Sequence, residues 1–431
     1  VRESWSGRYG FFVASAGSAV GFANLWHFPK LVGLYGGGCF LLFYLLFLVV
    51  LTFPIFVAEV ALGRTTKRGP VGSLLLMSGE RRWSAAGKGL LAIGFTVSSL
   101  YGVLASWVAG YLYEAVRGGL SESSGLADWL AMPGRVLLFF FLFKLLSMLI
   151  LLCGVRRGIE RANRVIIPLL TLLLIVLAVR GLMLPDPMKA LGYLFRPNIA
   201  QISLGAVLAA LSQAFFTLSL GQGTMITYGS YLRGSERLVS SCLPVLLFDL
   251  ATALLSTIAI VTVAFAAGST KIEGAGVLFD TIPALFLTLP LGYLLCIAFF
   301  LFIFLAALSS QISALEPLIN YFMIGRSWSR AKAVAVATGG AFLLGVPSAL
   351  SFSLLRGVQL WGRTFFEWVN FLAFQVGIPL GALTVVIFMG WVWGWHSIIE
   401  ATRAGGPLFG SVVKYLSPFL LLLILIYGIL G

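Results

Sequence analysis

Four acidic side chains stand in or beside apolar runs: Glu59, Asp249, Glu316 and Glu367. An ionised group at bilayer depth costs at least ~2.5 kcal/mol, so each needs a partner or a task. Asp249 lies in Leu246-Leu247-Phe248-Asp249-Leu250-Ala251, with no basic residue at helical spacing. A bound cation would compensate it; a neutral carboxyl, or one bonded to loose backbone, would also satisfy it. Glu59 reads as support for unwound backbone rather than as a solute ligand, and Glu316, just before Pro317, reads the same way. Glu367 is expected near the outer surface, solvated. Ser309-Ser310-Gln311 interrupts another apolar run. Hydroxyls and carbonyls are hard oxygen ligands suited to a small alkali cation, and helix-to-helix hydrogen bonding is their alternative use. Tyr101 is a lone phenol between Leu100 and Gly102. Taken alone, it fits a packing aromatic with a satisfied hydroxyl.

Catalytic chemistry has no comparable constellation. The two histidines are His27 and His396, and no metal or nucleophile motif accompanies them. Cys39, Cys153, Cys242 and Cys296 lack metal-ligand spacing and suggest no disulfide framework. Gly36-Gly37-Gly38 follows an apolar helix and so is not the phosphate loop of a strand–helix unit.

The elements that must position these groups are membrane helices. The chain has 431 residues, 60% hydrophobic and 10% charged. A water-soluble fold cannot hide so much apolar surface, and runs such as 40–60, 136–153, 165–182 and 419–430 approach bilayer thickness. The pattern predicts eleven spanning helices, at about 9–34, 40–63, 87–117, 134–154, 159–184, 203–231, 238–267, 290–324, 331–352, 364–395 and 411–430. Gaps are short; those near 185–202 and 268–289 leave room for short helices outside the membrane. The net charge of +14 does not indicate nucleic acid, because the basic residues sit singly in short gaps. With the amino terminus inside, cytoplasmic segments hold more than twice as many Lys and Arg as outer ones, and the odd helix count puts the carboxy terminus outside. Ala14-Ser15-Ala16 is not a signal-cleavage site, since the polar, glycine-rich continuation through Asn24 does not fit one.

Two helices carry signs of interruption. The first contains Gly17-Ser18-Ala19-Val20-Gly21-Phe22-Ala23-Asn24, the sixth Thr217-Leu218-Ser219-Leu220-Gly221-Gln222-Gly223. Glycine weakens a helix, and Ser, Thr and Asn compete for its backbone bonds. Loose backbone inside lipid is tolerated only where protein buries it or it lines a wet cavity. Interruptions in the first and sixth helices suit two five-helix repeats, each opening with a broken helix around a midplane site. Close helix packing on glycine is the competing use.

At these residues the chain resembles the neurotransmitter:sodium symporter family, including its bacterial amino acid transporters. The pieces are Gly17 to Pro29, Tyr35 to Phe40, Phe215 to Gly221 and Ala306 to Pro317. The resemblance implies an all-α polytopic membrane protein of LeuT-like fold: inverted repeats over about 9–184 and 203–395, with an extra helix at 411–430. It implies a first sodium site from Ala19, Asn24, Thr217 and Asp249 with the substrate carboxylate. A second sodium site would come from Gly17, Val20, Ala306, Ser309 and Ser310. Substrate would be lined by Ser18, Phe22, Ala23, Val97, Tyr101, Phe216, Thr217, Ser219, Gln222, Ser310 and Ala314.

The family position at Asp249 is often Asn beside a chloride, so a built-in carboxylate is expected to remove the chloride requirement. Gly21 stands where monoamine carriers place Asp, which suggests a substrate bringing its own carboxylate to Tyr101 and the N–H groups near Phe22 and Ala23. Ala23 itself replaces a usual Gly. Gln222 and the small Ala314 suggest a roomier, more polar side-chain pocket than in leucine-type carriers. The outer gate, an Arg–Asp pair in relatives, is His27 and Asn370 here, and a pH-sensitive gate is expected from the histidine. At the inner gate Arg2, Trp5 and Tyr231 match, while Ile324 occupies the acid's position, leaving closure to other contacts such as Trp5 packing.

The expected function is sodium-coupled symport of a small amino acid by alternating access. The alternative is a sodium-independent or proton-coupled exchanger of the same fold, with Asp249 carrying the proton. A membrane-embedded enzyme would need a catalytic cluster that the sequence lacks. Expected partners are the amino acid, sodium ions and the lipid bilayer, with no cofactor and no nucleic acid. The chain is expected as a monomer or homodimer in a prokaryotic inner membrane.

Overall fold

The computed structural model describes residues 3–120, 125–197, 202–233, 237–266, 277–402 and 410–430. Among them, nine helices are long and apolar enough to cross a membrane: α2 (Gly38–Thr66), α3 (Arg81–Val116), α4 (Pro133–Leu152), α5 (Val155–Leu182), α7 (Leu238–Ala266), α8 (Gly292–Gly325), α9 (Arg330–Leu350), α10 (Phe365–Gly394) and α11 (Val412–Ile429). Two further spans, α1 and α6, are each split in the middle, and these complete the eleven expected.

The first half of α1, Arg8–Ala19, stops where Val20 turns extended (φ −76°, ψ 110°). The helix resumes as a wide turn at Ala23–His27 and continues as Phe28–Leu34, with Pro29 just after the wide turn. The first half of α6, Leu204–Thr217, starts on a Ser203 side chain that accepts from Ala206 N–H. It ends in a stretch where Ser219, Gly221 and Gly223 all have positive φ (55°, 73° and 79°), and resumes at Thr224–Ser230. Alternate left-handed residues cannot continue a right-handed helix. Gly221 is doubly constrained, since a Cβ there would meet the backbone of Ala382 on α10.

The broken spans sit at the centre. α1 packs on α5, α7 and α8, and both halves of α6 pack on α2. α3 is buried over 72% of its apolar stretch and α11 over 28%, so α3 is internal and α11 peripheral. Leu42, Leu138, Phe141, Leu172, Leu343 and Phe419 are among the large side chains on the outer apolar surface, which suits lipid. Prolines inside α5 (Pro168), α7 (Pro244), α8 (Pro317) and α9 (Pro347) leave those helices continuous.

Some expectations need revision. α3 begins at Arg81, six residues before the expected 87, because its amphipathic first turns project past the apolar run. Short helices at Pro70–Ser78 and Leu126–Leu130 were not foreseen, whereas Pro187–Phe195 and Leu278–Leu287 occupy the two longer gaps. None of the four cysteines forms a disulfide; Cys153 is exposed and the other three are buried.

Candidate functional site

The breaks in α1 and α6 face Asp249 of α7. Asp249 is fully buried. It accepts from Asn24 Nδ2 (2.8 Å) and from Thr217 Oγ1, which spans both carboxylate oxygens at 2.8 and 3.0 Å. Among the described residues no basic side chain pairs with it. Asn24 is held from the other side by Ser256 Oγ, which donates to its carbonyl at 2.7 Å. Its own Oδ1 is buried without a partner. A buried acceptor left unpaired is costly, and here it lies on a side chain already bonded to a carboxylate. The cluster is a set of hard oxygens from three helices, able to take a small cation. Ala19, the remaining expected ligand, is buried where α1 ends.

The Ser309–Ser310 pair of α8 reaches the same break from the opposite side. Ser310 Oγ lies 3.0 Å from Val20 O, 3.3 Å from Ser18 O and 3.4 Å from Gly17 O. Ser309 Oγ donates to Asn163 Oδ1 of α5. Ala306, one turn back on α8, is fully buried. Released carbonyls of α1 and two hydroxyls therefore converge in a second oxygen-lined site.

Several of the expected substrate residues meet one another beside these clusters. Phe22 N–H donates to Tyr101 Oη at 2.7 Å, and the two rings meet edge to face at 4.9 Å. Those two polar groups are the pair expected to hold a carboxylate. Ser219 Oγ donates to Ser18 O (3.0 Å), and the two hydroxyls lie 3.2 Å apart, tying the α6 break to the α1 break. Ala23 O accepts from Gln213 Nε2 at 3.1 Å. Val97 packs with Ala373 and Ile378, flanked by Phe216, as an apolar wall. Gln222 and Ala314 converge near Gly94, and Gln222 Oε1 is buried with no partner.

Glu59 fills the supporting role expected of it, accepting from Gly221 N–H in the break at 3.0 Å. Glu316 does not. α8 passes Pro317 unbroken and frees no backbone donor there, so the carboxylate instead holds Arg330 of α9 (2.8 and 3.2 Å) and Tyr231 Oη (2.8 Å). Glu367 is exposed in a capping box with Thr364 at the start of α10.

The gates also differ from expectation. His27 Nδ1 lies 2.6 Å from Gln213 Oε1, and its ring lies against Phe216. Among the described contacts none joins His27 to Asn370. Gln213, one turn before the α6 break, is nearer than α10 and supplies the polar group. At the other end Trp5 is buried between Tyr228 and Tyr231, donating to Tyr228 O through Nε1 (2.9 Å) and to Tyr231 O through its N–H (3.2 Å). Ile324 is 52% exposed and takes no part. A buried acid at this end is Glu316, whose partner Arg330 also meets Glu3 at 3.5 Å. Arg2 lies outside the described residues.

Three residues that the sequence reading passed over belong to this centre. Gln213 bridges His27 and the α1 break. Asn163 looks from sequence like part of the charged boundary around Arg161 and Arg164, yet it is fully buried against Ser309. Lys144 is 2% exposed within α4. Its Nζ reaches Ser98 O of α3 and, with the Gln311 amide oriented to suit its neighbours, Gln311 Oε1 of α8, each at 2.8 Å. The signal for Lys144 was present: a lone base in an apolar run is as conspicuous as a lone acid.

The family model of the sodium:neurotransmitter symporters matches residues 2–132 and 121–431. The sodium-dependent transporter YhdH of Bacillus subtilis is 34% identical over 391 residues, covering 89% of this chain and 87% of its own. A sodium-dependent transporter of Haemophilus influenzae is 28% identical over 446 residues, 99% of this chain and 98% of that one. The crystal structure of MhsT in complex with L-phenylalanine matches with a TM-score of 0.91 at 36% identity, over 99% of this chain and 100% of the other.

Proposed function

Because the chain belongs to the sodium:neurotransmitter symporter family, we propose that it couples inward sodium movement to uptake of a small amino acid by alternating access. The observation that carries this reading is the buried Asp249–Asn24–Thr217 cluster set between two broken helices, with Asn24 Oδ1 unpartnered. Sodium at this cluster would neutralise Asp249 and lie within reach of a substrate carboxylate. That carboxylate would be received by Tyr101 Oη and Phe22 N–H, which bond one another here. The second sodium would take the Gly17 and Val20 carbonyls from Ser310 and bind with Ser309, Ser310 and Ala306. The first ion would tie α1 to α6 and α7 and the second would tie α1 to α8, and together they would favour one closure over the other, since a ligand shifts a conformational equilibrium by its differential affinity.

Asp249 supplies fixed negative charge where relatives often hold Asn and chloride, so transport is chloride-independent. The unpaired Gln222 Oε1 favours a substrate side chain that can donate a hydrogen bond. L-Phenylalanine in MhsT supports the amino acid class. The excess of basic residues favours a cytoplasmic Trp5 end and an outer carboxy terminus, and the relatives from Bacillus subtilis and Haemophilus influenzae favour a bacterial inner (plasma) membrane. α1–α5 and α6–α10 are the inverted repeats, with α11 added.

The test is a thermal-shift screen of the twenty amino acids on purified protein, in sodium and in choline, followed by uptake into proteoliposomes. A sodium-dependent shift with a matching sodium-driven uptake is expected, larger for side chains bearing a donor than for leucine. Uptake that persists in choline and follows an imposed proton gradient would transfer the role of Asp249 to proton carriage.

A further inference from the structure

We infer that Asn163 of α5 is a positioning residue of the second sodium site, acting through Ser309; this rests on the reading that sodium binds there. A hydroxyl that ligates a cation offers its lone pairs to the ion, so its single hydrogen must point elsewhere and find an acceptor. In a buried site no water stands ready to serve, and an unplaced proton either costs free energy or turns toward the ion. Asn163 Oδ1 is that acceptor: Ser309 Oγ donates to it, and both side chains are fully buried.

The third wall is Gly17. A Cβ added there would collide with Ser309 Oγ and with Asn163 Oδ1 together, so α1, α5 and α8 meet at one point with no side chain from α1 between them. Gly17 also contributes a carbonyl within reach of Ser310. The amide of Asn163 is not arranged for its own benefit. Its Nδ2 is buried without an acceptor, although burying two unpaired donors is unfavourable. An asparagine held with its oxygen on Ser309 and its nitrogen unpaired is oriented for the hydroxyl. A packing residue at this position would need no amide, and an alanine or leucine would fit an apolar contact better.

The test uses purified full-length protein. Sodium is titrated against choline at constant ionic strength, and binding is read from the thermal shift and from equilibrium binding of whichever amino acid stabilises the wild type. Asn163→Ala should raise the half-saturating sodium concentration about tenfold, the effect of one ordinary hydrogen bond. Asn163→Asp keeps the acceptor oxygen, adds a negative charge and matches the volume, so it should bind sodium at least as tightly as wild type. In a Ser309→Ala background, Asn163→Ala should add no further loss, because the hydroxyl it orients is gone. The inference is overturned if both Asn163 variants lower the melting temperature in choline while leaving sodium half-saturation unchanged. It is equally overturned if Asn163→Asp is weakened as much as Asn163→Ala. A wild type that shows no sodium response at all would instead refute the symport reading, so the two failures are distinguishable.

Discussion

Asp249→Asn is the sharpest perturbation of the transport reading. The substitution keeps the shape of the side chain and one oxygen, so Asn24 Nδ2 retains an acceptor at 2.8 Å. Thr217 Oγ1, which now bonds both carboxylate oxygens, loses one of its two contacts. The larger loss is charge. Two opposite unit charges ~4 Å apart attract by about 4 kcal/mol at an effective dielectric constant of 20. The amide dipole recovers part of this, which leaves ~3 kcal/mol, or sodium affinity weaker by a factor on the order of 100. The assay is initial uptake into proteoliposomes against external sodium, once in chloride and once in gluconate. Wild type should give the same curve in both anions. The variant should need on the order of 100-fold more sodium in gluconate, with part of that recovered in chloride, because a mobile anion can replace the missing charge. A variant whose sodium requirement in gluconate stays within about threefold of wild type would refute the electrostatic reasoning. A wild type that needs chloride would refute the built-in anion.

Two further perturbations concern buried charges outside the cation sites. Arg330→Ala leaves Glu316 fully buried without its partner, and stability should fall by about 3–5 kcal/mol, read as a lower melting temperature in detergent; adding Glu316→Gln should recover part of it, and no recovery would mean that Arg330 acts mainly through its contacts to Leu151 and Glu3. Lys144→Met removes an ammonium whose acceptors, Ser98 O and the Gln311 amide, can still satisfy each other, so folded yield should stay near wild type; Lys144→Glu sets a carboxylate against the same oxygens and should abolish folded protein in the membrane fraction. Equal loss from both Lys144 variants would show that the charge itself is required.

What could be read from the sequence follows a physical division. The breaks at 17–24 and 217–223 were legible because they are backbone events, and glycine, serine and asparagine announce backbone events locally. Asp249 was legible for the same kind of reason: a lone carboxylate in an apolar helix is anomalous without any knowledge of its neighbours. Lys144 carried the same anomaly, but its acceptors lie on α3 and α8, and nothing near it in sequence says what an ammonium does there. The residues that escaped altogether depend on pairing across helices. Arg330 is fourteen positions from Glu316, on the far side of the α8–α9 turn, where helical spacing gives no hint. Pro317 pointed toward a break that the continuous helix does not contain. Gln213 takes His27 because the α6 helix, rather than α10, stands beside that turn of α1.

The same division bears on how the two ends of the molecule can change without disturbing its centre. The two oxygen clusters are built at the breaks, the first from the Asn24, Thr217 and Asp249 side chains and the second from α1 carbonyls with Ser309 and Ser310, so their geometry is set by where the helices stop. The closures at the ends rest on side-chain pairs, and a pair between neighbouring helices can serve where the expected one is missing. Glu316–Arg330 with Tyr231 can therefore stand in for an acid missing at Ile324, and His27–Gln213 for an ion pair missing at Asn370. The His27 contact places no formal charge opposite the histidine, whereas at the Trp5 end the buried Glu316 carboxylate holds the partly exposed Arg330. Opening the Trp5 end must separate the buried contacts of Trp5 with Tyr228 and Tyr231 and disturb the Glu316–Tyr231 bond. Opening the His27 end would disturb the His27–Gln213 hydrogen bond and the contact of the His27 ring with Phe216. On these contacts the Trp5 end is the more heavily tied of the two.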